Sequence, residues 1–132
     1  MDTRKLINYW SSGAESDWRA CRHLYEQKDY SQALFWGHLV LEKILKALVV
    51  NDTQSQAPYT HDLVLLISKT NLKPTQEQRD NLNEINTFNQ FGRYDNEMIT
   101  FAQKCTPEYA EKYFNIINQL FTWLMEHFHN KT

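Results

Sequence analysis

Glycine and proline are scarce in this chain, with three of each among 132 residues. An all-β chain needs many tight turns, and tight turns draw on these two residues. The shortage therefore disfavours that class and favours long helices with short connections. Cysteine is nearly absent as well. Cys21 and Cys105 are far apart and match no zinc or redox spacing, so they read as reduced, structural thiols, which fits a cytoplasmic location. No basic run stands out: the net charge is −2 and Lys and Arg are dispersed. That argues against strong non-specific nucleic-acid binding, which needs clustered positive charge, while leaving room for a local RNA contact. No long uncharged apolar run occurs either. The densest, Ala33–Val50, is broken by His38, Glu42, Lys43 and Lys46 and makes a poor membrane span. The opening residues lead into a polar pattern and not into an apolar signal core. There is no HExxH, CxxC, Walker loop, dinucleotide glycine motif or nucleophile elbow, which removes the commonest enzyme classes and calls for no cofactor or metal.

What is present suits one soluble domain spanning residues 1–132. Apolar residues make up 42% of the chain and aromatics 14%, with four Trp. A domain of this size buries roughly two thirds of its unfolded surface, enough for a core without disulfides or metal.

Helical periodicity organises most of the sequence. From Arg4 to Gln27, the residues Leu6, Trp10, Ala14, Trp18, Cys21 and Tyr25 recur at helical spacing and predict an amphipathic helix. Gly13 weakens it by about 1 kcal/mol relative to Ala, so a kink is expected near Ser11-Ser12-Gly13. Asp29 is placed to cap a second helix, with Gln32 reaching back as in a capping box. That helix, Tyr30 to Val50, is apolar nearly all round, most densely over Gln32–Val50, which predicts a central, covered element. Gly37 within it invites close approach by another helix. A polar loop, Asn51–Thr60, precedes a short helix opened by His61-Asp62 and carrying Leu63, Leu66 and Ile67. Thr75 and Gln78 form another capping-box pattern for a fourth helix ending near Phe88. Asn89–Thr106 reads as the least regular stretch. Thr106-Pro107 marks the start of a last helix, whose apolar residues return with a bundle rhythm. The expected fold is all-α, an antiparallel up-and-down four-helix bundle with one additional short helix.

Four places carry candidate chemistry. His38, Glu42 and Lys46 are spaced four apart and lie in a line on the second helix. They read either as the polar floor of a groove or as a solvated or interface seam with one helical ion pair. His61, at a loop-to-helix junction, suits an acid/base or anion-holding role, or a structural one as a cap or hydrogen-bonded bridge. Arg93-Tyr94-Asp95-Asn96-Glu97 is the most suggestive segment: Arg93 can clamp phosphate and Tyr94 can stack on a base, or Arg93 can close the loop by pairing with Asp95 or Glu97. His127 and His129, two apart on one helix, do not share a face and predict no metal site.

The run Ala33-Leu34-Phe35-Trp36-Gly37-His38-Leu39-Val40-Leu41-Glu42-Lys43-Ile44-Leu45-Lys46-Ala47-Leu48 resembles the second-helix signature of the HEPN family, the higher eukaryotes and prokaryotes nucleotide-binding domain. So do His61-Asp62-Leu63 after the loop and the segment from Leu82 to Arg93-Tyr94. Together these cover nearly the whole chain in order. The resemblance implies an antiparallel helical bundle, often dimeric. Some relatives bind substrate for a minimal nucleotidyltransferase. Others are metal-independent ribonucleases, usually toxins of toxin–antitoxin pairs, which set an Arg beside a His a few residues further on. Here Arg93 is followed by Tyr94, Asp95, Asn96, Glu97, Met98, Ile99 and Thr100, and no His appears before His127; Arg79 leads to none either. Imidazole can handle a hydroxyl proton near neutral pH and these side chains cannot do so equally well. The expectation is a non-catalytic HEPN module, homodimeric, binding a nucleotide or another phosphorylated ligand beside a nucleotidyltransferase partner. Its ligand residues are expected to be Arg93, Tyr94, His61, Glu42 and Lys46. The alternative is a divergent ribonuclease that uses Arg93 with Asn96, Glu97 or His127.

Overall fold

A computed structural model describes residues 2–131, with side chains through His129. Six α-helices and no strand are found among them. Helix α1, Thr3–Glu26, starts where the Asp2 carboxylate accepts from the Lys5 N–H. It runs through Ser11-Ser12-Gly13 as one element. The space left by the missing side chain is used: a Cβ at Gly13 would lie 3.1 Å from Cδ of Lys43. Ala14 and Cys21 from the predicted stripe are fully buried, and burial pushes the Cys21 thiol up to about 12. Trp18 and Tyr25 are half-buried because their rings stack on Phe114 of the last helix, at centroid distances of 5.3 and 4.1 Å.

A tight reversal follows, with Lys28 in left-handed backbone at φ 64°. Helix α2, Tyr30–Thr53, then returns along α1. Asp29 occupies its N-cap position, but its side chain caps nothing, and Gln32 accepts from the Ser31 hydroxyl instead of reaching back. The expected capping box is therefore not formed. This helix depends on packing, since it touches every other helix and buries Leu34, Leu41, Ile44, Leu45 and Leu48 completely. Each such side chain contributes about 1.5–3 kcal/mol relative to an exposed one, far more than a cap supplies. Gly37 provides the close approach anticipated for it: a Cβ there would fall 2.6 Å from Cδ1 of Ile117.

Helix α3, Leu63–Ser68, is capped by Asp62, whose carboxylate accepts from the N–H groups of Val64 and Leu65. Helix α4, Gln76–Asn86, begins with the full Thr75/Gln78 capping box. Helix α5, Asp95–Lys104, lies inside the stretch expected to be irregular. Every residue from Phe91 to Thr100 is exposed, so no apolar stripe announces a helix there. What holds α5 is Phe101 and Cys105 buried at its end, a Glu97 carboxylate accepting from the Tyr94 N–H at its start, and acidic residues in its first turn with Lys104 in its last, as the helix dipole favours. Helix α6, Pro107–Lys131, starts where Thr106 accepts from the Tyr109 N–H, and it packs on α2. The chain is thus an all-helical bundle in which the five expected helices are all present and α5 is the sixth. No described helix is long and apolar enough to cross a membrane.

Candidate functional site

The polar line on α2 is not a solvated seam. His38, Glu42 and Lys46 are 0%, 5% and 5% exposed, inside the bundle. Burying charge is costly unless it is paired, and here the pairing is thorough. Lys46 Nζ donates to Glu42 Oε2 at 3.0 Å and lies 4.9 Å from the centre of the Trp10 ring on α1. The other carboxylate oxygen, Oε1, accepts from Nδ1 of His61 at 2.8 Å. A carbonyl only accepts, so His38 Nε2 carries the hydrogen that it donates to the His61 backbone oxygen at 3.0 Å. His38 Nδ1 then bears a lone pair. It is buried without a hydrogen-bond partner, 3.9 Å from Glu42 Oε1. Burial holds the His38 imidazole below its ordinary pKa, against the opposing pull of Glu42 and the His61 carbonyl.

Helix α2 therefore grips His61 twice, through its backbone by His38 and through its ring by Glu42. The bridging role foreseen for His61 is the one it fills, while the adjacent Asp62 does the capping. Asp62 also accepts from the Asn86 side chain, whose own oxygen accepts from the Leu63 N–H, which ties the junction to the end of α4. Although held on one side, the His61 side chain remains 42% exposed. Nδ1 is committed to Glu42, and the ring makes no other hydrogen bond among the described residues.

Two aromatic rings neighbour the imidazole. Phe91 lies 5.8 Å and Tyr59 6.3 Å from the imidazole, centre to centre, and Phe91 also meets Phe35 of α2 edge to face at 5.1 Å. The loop that presents Phe91 is built locally. The Asn89 side chain accepts from the Phe91 N–H, Gly92 turns the chain at φ 73°, and the Arg93 N–H closes onto the Gln90 carbonyl. Beneath Phe91 is a mostly apolar recess of about 240 Å³ reaching to Phe35, Gln90, Met98 and Phe101.

The five expected ligand residues divide into two groups. His61, Glu42 and Lys46 are joined in one hydrogen-bonded chain, with Glu42 and Lys46 underneath and only His61 at the surface. Arg93 and Tyr94 make no hydrogen bond or ion pair with that chain among the described residues. Arg93 donates to the Asn89 carbonyl and to Glu97 at 3.2 Å, the loop-closing pair that was the alternative reading for it, and Tyr94 is 77% exposed. His127 lies elsewhere, with Nε2 4.0 Å from an Asp52 carboxylate oxygen at the end of α2. No group of three or more His, Cys, Asp or Glu among the described residues is placed to hold a metal ion.

Sequence reasoning passed over Phe35 and Phe91, which lacked an evident role until the loop folded back on α2. It also passed over Asp17, 6% exposed on α1 and paired with Lys43 at 2.7 Å. The signal for Asp17 was available, since a carboxylate between Ala14 and Cys21 interrupts an otherwise apolar stripe. A third polar knot joins the later helices: the Tyr109 hydroxyl donates to Glu84, which also takes Lys104 at 2.7 Å. Burial pushes the Glu84 carboxyl up, but the hydrogen bonds from Lys104 and Tyr109 outweigh it and hold the group below its usual range.

An all-helical bundle whose central helix carries a buried His-Glu-Lys line, gripping a His-Asp junction, defines the class of domain. The HEPN domain family matches residues 7–128. The chain belongs to that family, as its second-helix signature suggested. A search of solved structures finds it similar to TT1696 from Thermus thermophilus, with a TM-score of 0.75 at 16% identity, covering 91% of this chain and 96% of that one. At that identity the likeness speaks for the fold. No curated protein matches the chain.

Proposed function

We propose that this HEPN domain is a non-catalytic binding module for a nucleotide or another small phosphorylated ligand, and that it acts as a homodimer beside a nucleotidyltransferase partner. The observation that carries this reading is the lip where Phe91 meets His61 over a buried, charge-paired base, with Arg93 and Tyr94 exposed next along the loop that presents Phe91. Aromatic faces with one cation and one imidazole suit a planar base with an attached phosphate. The geometry changes the roles given to two residues. Glu42 and Lys46 act from below by fixing His61, and Arg93, exchanging Glu97 for the ligand, takes the phosphate. Its pair with Glu97 is exposed and worth little, so a phosphate can displace it. The ribonuclease alternative gains nothing at Arg93, where the side chain within reach is a carboxylate in place of an imidazole.

Calorimetry with ATP and GTP, alone and with a purified nucleotidyltransferase encoded beside this chain, tests the reading. Saturable binding that weakens in Arg93→Ala is expected. Absence of binding to either nucleotide, together with absence of a complex, would sink it. Ribonuclease activity abolished by Arg93→Ala would put the alternative first.

A further inference from the structure

Resting on the nucleotide reading above, we propose that the recess beneath Phe91 takes the base of a ribonucleotide and that Nε2 of His61 accepts a hydrogen bond from its sugar hydroxyl. The chain would thus prefer ribonucleotides to deoxyribonucleotides.

Glu42 is an acceptor and sits 2.8 Å from Nδ1 of His61, so Nδ1 carries the hydrogen. A neutral imidazole protonated there has its lone pair on Nε2. The other oxygen of Glu42 is held by Lys46 at 3.0 Å. The backbone of His61 is pinned separately by His38. The ring therefore offers its surroundings a fixed acceptor. An acceptor suits a hydroxyl or amine of a ligand and does not suit a phosphate oxygen, which also accepts. This separates the part played by His61 from that of Arg93.

The recess supplies the rest. Its walls are mostly apolar, Phe35, Phe91 and Phe101 with Met98, alongside Ser31, Gln32 and Gln90, and its volume is about 240 Å³. The Phe91 ring is at once a wall of this recess and the neighbour of the imidazole, tilted 35° to it. A planar ring held against Phe91 therefore lies one side chain away from His61. The Arg93 amide closes the turn onto the Gln90 carbonyl, and its guanidinium, paired with Glu97, is the cation next along the loop. Aromatic wall and neighbouring acceptor suit a base and its attached sugar, and the 2′-hydroxyl is what separates a ribonucleotide from its deoxy counterpart.

The experiment compares ATP, 2′-deoxy-ATP and 3′-deoxy-ATP by calorimetry on the full chain. ATP is expected to bind about three- to tenfold more tightly than one of the deoxy analogues, the range for one hydrogen bond. His61→Phe is expected to abolish that difference while Arg93→Ala preserves it. The two histidine nitrogens, followed by long-range proton–nitrogen NMR, give a reading that needs no variant. Nδ1 of His61 is expected protonated and Nε2 bare in the free protein, with Nε2 shifting on addition of ATP. Equal affinity for all three nucleotides, or a hydrogen on Nε2 in the free protein, overturns this inference and leaves the nucleotide reading standing. No binding of any of the three fails both.

Discussion

Glu42, on the central helix, holds His61 by a 2.8 Å hydrogen bond to Nδ1 while its other oxygen takes Lys46. One buried carboxylate thus satisfies a buried ammonium and orients the imidazole at the surface. Removing it strands Lys46, so Glu42→Ala is expected to cost about 3–5 kcal/mol in urea unfolding, the size typical of an uncompensated buried charge. The double variant Glu42→Leu with Lys46→Met removes both charges and is expected to cost much less than Glu42→Ala. A double variant less stable than Glu42→Ala would contradict this account of the pair.

The buried His38 imidazole makes stability depend on pH in a stated direction. Its folded pKa lies below the ordinary value because burial disfavours the charged form. As pH falls through about 6.5, the unfolded chain takes up the proton first. The contribution of His38 is therefore complete above that pH and is lost below it. Urea midpoints measured between about pH 7.5 and 5 are expected to fall more steeply for the unchanged chain than for His38→Gln, which keeps a donor for the His61 carbonyl. Equal slopes would show that His38 does not set the acid limb.

Gly37 and Ile117 set the contact of α2 with α6. A new methyl at Gly37 meets Cδ1 of Ile117 at 2.6 Å. Overpacking of this kind costs about 1–3 kcal/mol, against about 1 kcal/mol gained by Ala over Gly in a helix. Gly37→Ala is expected to destabilise by about 1 kcal/mol. In an Ile117→Val background, where Cδ1 is gone, it should become neutral or stabilising. The same cost in both backgrounds would rule out this clash.

Arg93 and Tyr94 are exposed, and the pair of Arg93 with Glu97 lies at the surface. Arg93→Ala and Tyr94→Ala are expected to change stability by less than about 1 kcal/mol, while each weakens nucleotide binding in calorimetry. A large loss of stability would mark them as structural.

How much of this could be read beforehand depended on how local the physics was. The Thr75/Gln78 capping box and the Thr106 start of α6 involve neighbours in sequence and form as expected, while the equally local Asp29/Gln32 box does not form on a helix held by packing. The dense run on α2 predicts a covered helix because only the centre of a bundle can bury so many faces. Helix α5 was hidden because two side chains at its far end anchor it, and a stripe needs more than two. At the site, residue types were legible but placement was not. Nothing local tells that Glu42 reaches His61 from 19 residues away, or that Phe91 returns to Phe35. The buried state of Glu42 and Lys46 followed from that placement, which put both beneath His61 and away from the surface.

The central claim is that the lip of His61 and Phe91, with Arg93 and Tyr94 next along the loop, receives a nucleotide, and a proton–nitrogen correlation spectrum of the labelled chain titrated with ATP tests it most directly. The account predicts saturable shifts at His61 and across Phe91 to Tyr94, with little change at the Glu84–Tyr109 knot. Shifts confined to other parts of the bundle, or none at millimolar ATP, would contradict it.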